Sequence, residues 1–354
     1  MLAIGLNLSS YKISIVELLK FRNNLTVRKM VKVELPPKCV VKGEVQDNMA
    51  LTDSLRDIWK KHKISDKKVF IGIANQKIIA KEIKIPVIND EEISNSIQYQ
   101  INDFIPIPKN NVIYDYYIVE KGEDHSRVML VGAMKSMIND VVLGFKKAGL
   151  LAQAIDLNCF ALYRTIDYIY KIEEGIKNNK GKEPESICVV NLGLEISIIE
   201  MIHSYNLKYP RFTSTSLKNF IDEIYKETKK DNKYCEDLLR KFDFMSLMGK
   251  KSEDLVKGEK EKEKDVKAKS DKSQTDKKEN KKTDEKKEKS ESKPDIDPAR
   301  INEAIKSVAD RFISEIKLSI EHFLQENPKA KLKKIVLTGD YIKNIDKYME
   351  KEIE

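Results

Sequence analysis

The chain has 354 residues, of which 41% are hydrophobic and 34% charged, with a net charge of +8. That length suits two ordinary domains, and much of the charge lies in one segment, so the remainder is rich enough in apolar residues to bury a sizeable core. Cys39, Cys159, Cys188 and Cys235 form no CxxC pair and have no histidine at ligand spacing, which argues against a disulfide scaffold or a zinc module.

The stretch from Ala3 to Leu18 reads as two strands joined by a short polar turn. It recurs from Cys188 to Met201: Ile13-Ser-Ile-Val-Glu-Leu18 aligns with Ile196-Ser-Ile-Ile-Glu-Met201, and Asn7-Leu-Ser9 with Asn191-Leu-Gly193. A repeated hairpin predicts a duplicated α/β domain whose two turns face one cleft. After the first hairpin come a strand (Leu25 to Leu35), a helix from Asn48 to His62 with Leu51, Leu55 and Ile58 on one face, and a buried strand from Lys68 to Ala74. Residues 1–76 thus form a first lobe of mixed sheet and helices.

The next block, 77–155, reads as an inserted subdomain. A strand ends at Pro86, and Asn89 with Glu92 forms a capping box for a helix carrying Ile93, Ile97 and Ile101. Pro106 and Pro108 stop that helix after Phe104 and Ile105. Strands at Val112–Val119 and Arg127–Ala133, a helix from Ser136 to Ala148 and a last strand at Leu151–Ile155 complete a split βαβ order. A helix from Asp156 to Asn178 and a polar linker lead to the second lobe (181–249 and 296–354). That lobe holds the second hairpin, a strand over Tyr205–Phe212, and helices at Ser216–Lys229 and Tyr234–Met245. It ends with a long helix with its stripe from Ile301 to Phe323, a strand ending at Gly339 and a helix from Ile342 to Met349.

Residues 250–295 are almost entirely Lys, Glu, Asp and Ser, a composition that predicts a disordered insertion. Its interspersed lysines and acids and its lack of aromatics favour a solvated spacer over a nucleic-acid contact. No apolar run approaches the roughly 18–20 residues of a membrane span, and no signal peptide opens the chain, so a cytoplasmic protein is expected. His62, His125, His203 and His322 are isolated, and no HExxH, GxxxxGK[ST] or GxGxxG occurs. These patterns predict no catalytic constellation and no metal site.

Several motifs carry a more specific resemblance. The opening hairpin is similar to the phosphate loop of actin-like ATPases. Ile83-Lys-Ile-Pro86, Glu91-Glu92, Asp103-Phe-Ile-Pro-Ile-Pro108, Tyr114-Asp-Tyr116, Val131-Gly-Ala133, Ala148-Gly-Leu150 and Ile155-Asp156 resemble the signature of one branch. Val190-Asn-Leu-Gly193 and Val336-Leu-Thr-Gly339 resemble its second phosphate loop and adenosine loop. The chain is identified as a member of the actin-like (ribonuclease H-like) superfamily and, within it, of the PilM family of type IV pilus assembly proteins, relatives of the FtsA division proteins.

The resemblance implies an α/β actin-like fold; it makes no cofactor certain and leaves ATP with Mg²⁺ at reduced affinity as the candidate ligand. It makes Asn7, Ser9, Ser10, Lys12, Asn191, Gly193, Ser214 and Gly339 the candidate nucleotide residues. Asn7 and Asn191 stand where the superfamily carries metal-organising aspartates, and an amide brings no charge to a divalent ion and is no general base. Ser214-Thr215-Ser216 and Gly339-Asp340 replace the family's double glycines. Weak or absent hydrolysis is therefore expected, with an active, filament-forming ATPase of the FtsA type as the alternative. The resemblance further implies a cytoplasmic scaffold that binds the N-terminal tail of a PilN-like inner-membrane protein, with homo-oligomerisation left open. Phe104, Ile105, Pro106, Tyr114, Tyr116 and Tyr117 are the candidate partner-binding residues, and recruitment to the membrane is expected through that partner.

Overall fold

A computed structural model describes residues 2–22, 24–86, 90–170, 185–204, 206–248, 297–339 and 345–353. Asn89 of the capping box, the helix beyond Tyr170 with its linker, Tyr205, the charged insertion, Asp340 and Ile342 lie outside these residues. The chain divides into two compact units, Met1–Ser216 with Glu315–Asp340, and Leu217–Ser314 with Tyr341–Glu354.

The first unit contains the duplication. Strands β1 (Leu2–Leu8), β2 (Lys12–Phe21) and β3 (Asn24–Glu34) run antiparallel in sequence order, and β6 (Lys68–Ile73) joins β1 in parallel. Between them lie a two-stranded ribbon, β4 (Val40–Val41) and β5 (Glu44–Val45), and helix α1 (Asn48–His62). The second sheet repeats this arrangement. Strands β11 (Glu185–Leu192), β12 (Ser197–His203) and β13 (Asn206–Thr213) are antiparallel, and β14 (Lys331–Gly339) pairs in parallel with β11. Asn7 sits opposite Ser14 and Gly72, and Asn191 opposite Ile198 and Thr338, so the two turns occupy equivalent places.

Helix α1 starts at Asp47, whose carboxylate accepts from the Met49 and Ala50 amides at 2.9 Å each. It ends at Lys63, which takes the left-handed conformation of a C-cap (φ 50°). Its buried Leu51, Leu55 and Ile58 pack on the first sheet beside Met137, Val141 and Phe145 of α3 (Lys135–Lys147).

The small sheet comprises β7 (Ile79–Ile85), β8 (Val112–Lys121) and β9 (Ser126–Met134) in the order β7-β9-β8. Its helix α2 (Asp90–Phe104) buries Ile93, Ile97 and Ile101 against Ile83, Ile85, Val128 and Leu130. The sequence reading extends this subdomain to residue 155, and the structure corrects that boundary. Strand β10 (Leu151–Leu157) is the outer strand of the first sheet, parallel to β6, and α3 packs in the first core. The subdomain is therefore a three-stranded sheet with one helix. Helix α4 (Asn158–Tyr170) follows β10 directly.

The second unit holds α5 (Leu217–Thr228), α6 (Asn232–Lys241), the N-terminal part of α7 (Pro298–Glu326) and α8 (Ile345–Ile353). The helix expected over Tyr234–Met245 ends at Lys241, because Phe242 and Phe244 are both buried. A spacing of two cannot place both on one helical face. Their rings stack edge-to-face at 5.1 Å, and Phe244 also meets Phe220 at 5.8 Å. Tyr348 lies near Phe244 and donates its hydroxyl to Asp310 at 2.9 Å.

The repeated hairpins share a buried glutamate on the third residue of Ile-Val-Glu and Ile-Ile-Glu. Glu200 is fully buried, and among the described residues neither of its carboxylate oxygens has a hydrogen-bond partner; Glu17 leaves one oxygen unpartnered. Desolvation holds the Glu200 carboxyl well above the usual carboxylate range. An acid whose folded pKa is raised stabilises the fold below its unfolded pKa, and that contribution is lost as pH rises toward the folded value. Glu200→Gln is expected to raise the thermal midpoint at pH 8, by about 2–4 °C per kcal/mol of relieved penalty, with the gain shrinking toward pH 5. Calorimetry across that range checks it, and a pH-independent difference contradicts it.

Candidate functional site

Seven of the eight candidate nucleotide residues converge. Asn7, Ser9, Ser10 and Lys12 of the first turn, Asn191 and Gly193 of the second, and Gly339 at the end of β14 line one cavity of about 410 Å³. The first turns of α4 complete it with Asn158, Ala161, Leu162 and Thr165. Ser214 is not part of it. That residue is exposed, while its neighbours Thr213 and Thr215 donate their hydroxyls to Glu315, Thr215 at 2.6 Å. The turn is fixed by a side chain a hundred residues away.

Polar groups at each turn bond locally. The Ser9 amide and hydroxyl both donate to the Lys12 carbonyl, at 3.1 and 2.8 Å. The Gly193 amide donates to Ser197 Oγ at 3.3 Å. Asn158 Nδ2 donates to Asn7 Oδ1 at 3.1 Å, linking the first turn to α4. Gly339 has φ +139°, and a Cβ there would meet the Leu192 carbonyl oxygen at 2.4 Å, so glycine lets β14 close on β11.

A magnesium ion asks for carboxylate or phosphate oxygens. The cavity lining has one acid among its described residues, Glu195, whose Oε2 already accepts from the Lys42 amide at 2.7 Å. Among the described residues no three His, Cys, Asp or Glu side chains are grouped closely enough to hold a metal. The donor set does not fit a magnesium–nucleotide complex.

A larger groove of about 740 Å³ runs along β8. In the small sheet β8 is an outer strand, paired with β9 on one side and, among the described residues, with no strand on the other; the Tyr116 amide donates to Asp115 Oδ1 at 2.8 Å. Tyr114, Tyr116 and Tyr117 all line it, together with Ile113, and α4 supplies Phe160, Tyr163 and Arg164 across from them. Tyr117 and Phe160 meet edge-to-face at 6.0 Å, and burial first, then Tyr163 and Glu82, pushes the Tyr117 hydroxyl up to about 12. Arg164 is ion-paired with Asp156 on the groove wall. Leu207 of β13 lies on the remaining side.

The other three candidate partner residues are elsewhere. Ile105 is fully buried, seated where a Cβ on Gly132 would come within 2.2 Å of its Cδ1, and so belongs to the subdomain core. Phe104 is partly buried against that core with Lys81 Nζ 5.6 Å from its ring centre. Pro106 is exposed and outside the groove lining. Sequence reading missed Ile113, Phe160 and Tyr163. The available signal was that β8 carries large apolar groups at both odd and even positions, more than one buried face needs.

Residues 5–238 match the family of the type IV pilus assembly protein PilM. The chain belongs to that family. A chain from a PilM–PilN type IV pilus biogenesis complex superposes with a TM-score of 0.73 at 17% identity, covering 99% of this chain and 85% of that one. The ethanolamine utilization protein EutJ from Carboxydothermus hydrogenoformans gives a TM-score of 0.50 at 11% identity, covering 100% and 82%. These likenesses establish the actin-like α/β fold for this PilM-family chain.

With amides at Asn7 and Asn191, magnesium is expected to leave nucleotide affinity unchanged within about three-fold, less than the 1.4 kcal/mol of a ten-fold change. Calorimetric titration of ATP in EDTA and in magnesium checks this. The Asn7→Asp and Asn191→Asp double variant is expected to acquire magnesium dependence. A ten-fold magnesium effect in the unaltered chain contradicts the reading.

Proposed function

We propose that this PilM-family chain is a cytoplasmic scaffold of a type IV pilus or related assembly platform. It holds the N-terminal cytoplasmic tail of a PilN-like inner-membrane protein in the β8 groove, with little or no ATP hydrolysis. The observation that carries this reading is the groove itself, a mostly apolar trough of about 740 Å³ along β8, an outer strand of its sheet. An extended peptide adds to such an edge through main-chain hydrogen bonds and gains specificity from side-chain pockets on alternate residues. Ile113, Tyr117 and Phe160 offer those pockets. The fold likeness to a chain of a PilM–PilN complex supports the choice of occupant. Among the described residues no helix is long and apolar enough to cross a membrane, in keeping with recruitment through a partner.

The convergence of seven candidate residues in the smaller cavity favours one further element, a nucleotide that adjusts the cleft without being turned over. An active ATPase is the competing reading, and a phosphate-release assay separates the two.

Fluorescence titration with a synthetic partner tail tests the groove. Ile113→Asp is expected to weaken binding about ten-fold or more, since it leaves an unpaired carboxylate in an apolar contact. Asn7→Ala, in the cleft, is expected to leave it unchanged. Equal binding by Ile113→Asp, or loss in Asn7→Ala with Ile113→Asp unaffected, contradicts the assignment.

A further inference from the structure

The β2–β3 ribbon outruns its sheet. Pairing with β1 reaches Leu19, whereas β2 and β3 continue to pair with each other through Phe21 and Asn24. Every described residue from Leu19 to Arg28 is exposed. Phe21 and Met30 are each 67% exposed, Val27 54% and Leu25 48%. The register puts Met30, Val27 and Leu25 on one face and Phe21 on the other, so both faces present apolar groups to solvent. Single exposed hydrophobics are ordinary, but three on one face of a two-stranded ribbon, with Phe21 on the other, leave the ribbon apolar on both sides.

The ribbon is also strongly basic. Between buried Glu17 and exposed Glu34 stand Lys20, Arg22, Arg28, Lys29 and Lys32, with no acid among them; Lys32 lies at the turn end, where it lines the smaller cavity. Lys29 Nζ donates to the His62 and Lys63 carbonyls at 2.6 and 3.2 Å, which sets the lysine-rich end of α1 beside the ribbon. From Lys60 to Lys68 the sequence has five lysines and one acid, Asp66. Lysines on an outer strand are a common defence against unwanted sheet pairing. That accounts for the charge, and leaves Phe21, Leu25, Val27 and Met30 unexplained.

We propose that this ribbon docks directly on an anionic phospholipid bilayer. Exposed aromatic and aliphatic groups flanked by arginine and lysine suit the boundary between headgroups and acyl chains. There the alkyl groups leave water and the cations meet lipid phosphates. Charge selects the occupant. A second copy would bring an equal positive patch against this one, and nucleic acid would gain nothing from Val27 and Met30. The ribbon supplies none of the residues that line the β8 groove, so lipid contact and tail binding fail independently. Together they would give two attachments to one membrane, each individually weak.

Co-sedimentation of the full chain with vesicles tests this, comparing phosphatidylcholine alone with a mixture containing roughly one third phosphatidylglycerol at low and high salt. Binding is expected to the anionic vesicles only and to fall with salt. Phe21→Ser with Met30→Ser, and separately Arg22→Glu with Arg28→Glu, are each expected to weaken it about ten-fold or more. All four residues are exposed, so the thermal midpoint and tail-peptide binding are expected to hold. Failure of the unaltered chain to bind anionic vesicles, or undiminished binding by both pairs of variants, overturns the proposal. So does a self-associated species in sedimentation velocity that the variants dissolve, which assigns the patch to a second copy.

Discussion

Glu82 ties the small sheet to the second sheet. Its carboxylate takes Arg127 of β9 at 3.1 Å and Lys208 of β13 at 2.9 Å, and the Lys208 side chain is only 8% exposed. Breaking a buried pair of this kind typically costs about 3–5 kcal/mol, because one charge is left without compensation. The consequence is geometric. Leu207, next to Lys208, forms one wall of the large groove, and β8, two strands from Glu82 in the small sheet, forms another. The ion pair is thus one of the contacts that hold the two walls in place. Lys208 and Arg127 also explain why His203 is held below its ordinary pKa, after the larger effect of its burial.

The two concave sites of the first unit differ in kind. The cleft between the hairpin turns keeps the duplicated frame, but several of its polar groups are bonded within their own turn, and amides, not carboxylates, stand at Asn7 and Asn191. The β8 groove differs: it follows an outer strand and has aromatic walls, with the Arg164–Asp156 ion pair on one side. A cleft with amides at Asn7 and Asn191 and one acid in its lining is poorly suited to organising a metal-bound phosphate, whereas a mostly apolar trough along an outer strand suits an extended chain. On this reading the actin-like frame persists as a rigid support, and recognition has moved to the inserted sheet.

The duplication was legible in the sequence because both copies keep the period-two pattern and the buried glutamate, as Glu17 and Glu200. The α2 stripe was legible for a similar reason, since Ile93, Ile97 and Ile101 are spaced by four. What failed depended on distant partners. Strand β10 joins the first sheet through pairing with β6, some eighty residues earlier, and nothing within Leu151–Leu157 signals that choice. Ile105 was a partner-binding candidate by resemblance, and only the missing side chain of Gly132 opens the hole it fills. Ser214 was placed in the cleft by resemblance, and the turn is instead anchored at its neighbours by Glu315. Groove residues from α4 were missed because a helix between two layers shows apolar groups all round, which hides the face that lines a site.

Backbone amide exchange of the full chain, with and without a saturating peptide of the partner's tail, addresses the central claim most directly. If the tail lies in the β8 groove, new protection appears along β8, centred on Ile113 to Tyr117, with the turns at Asn7–Lys12 and Asn191–Ile196 unchanged. Protection confined to those turns, with β8 exchanging as in the free protein, would contradict it.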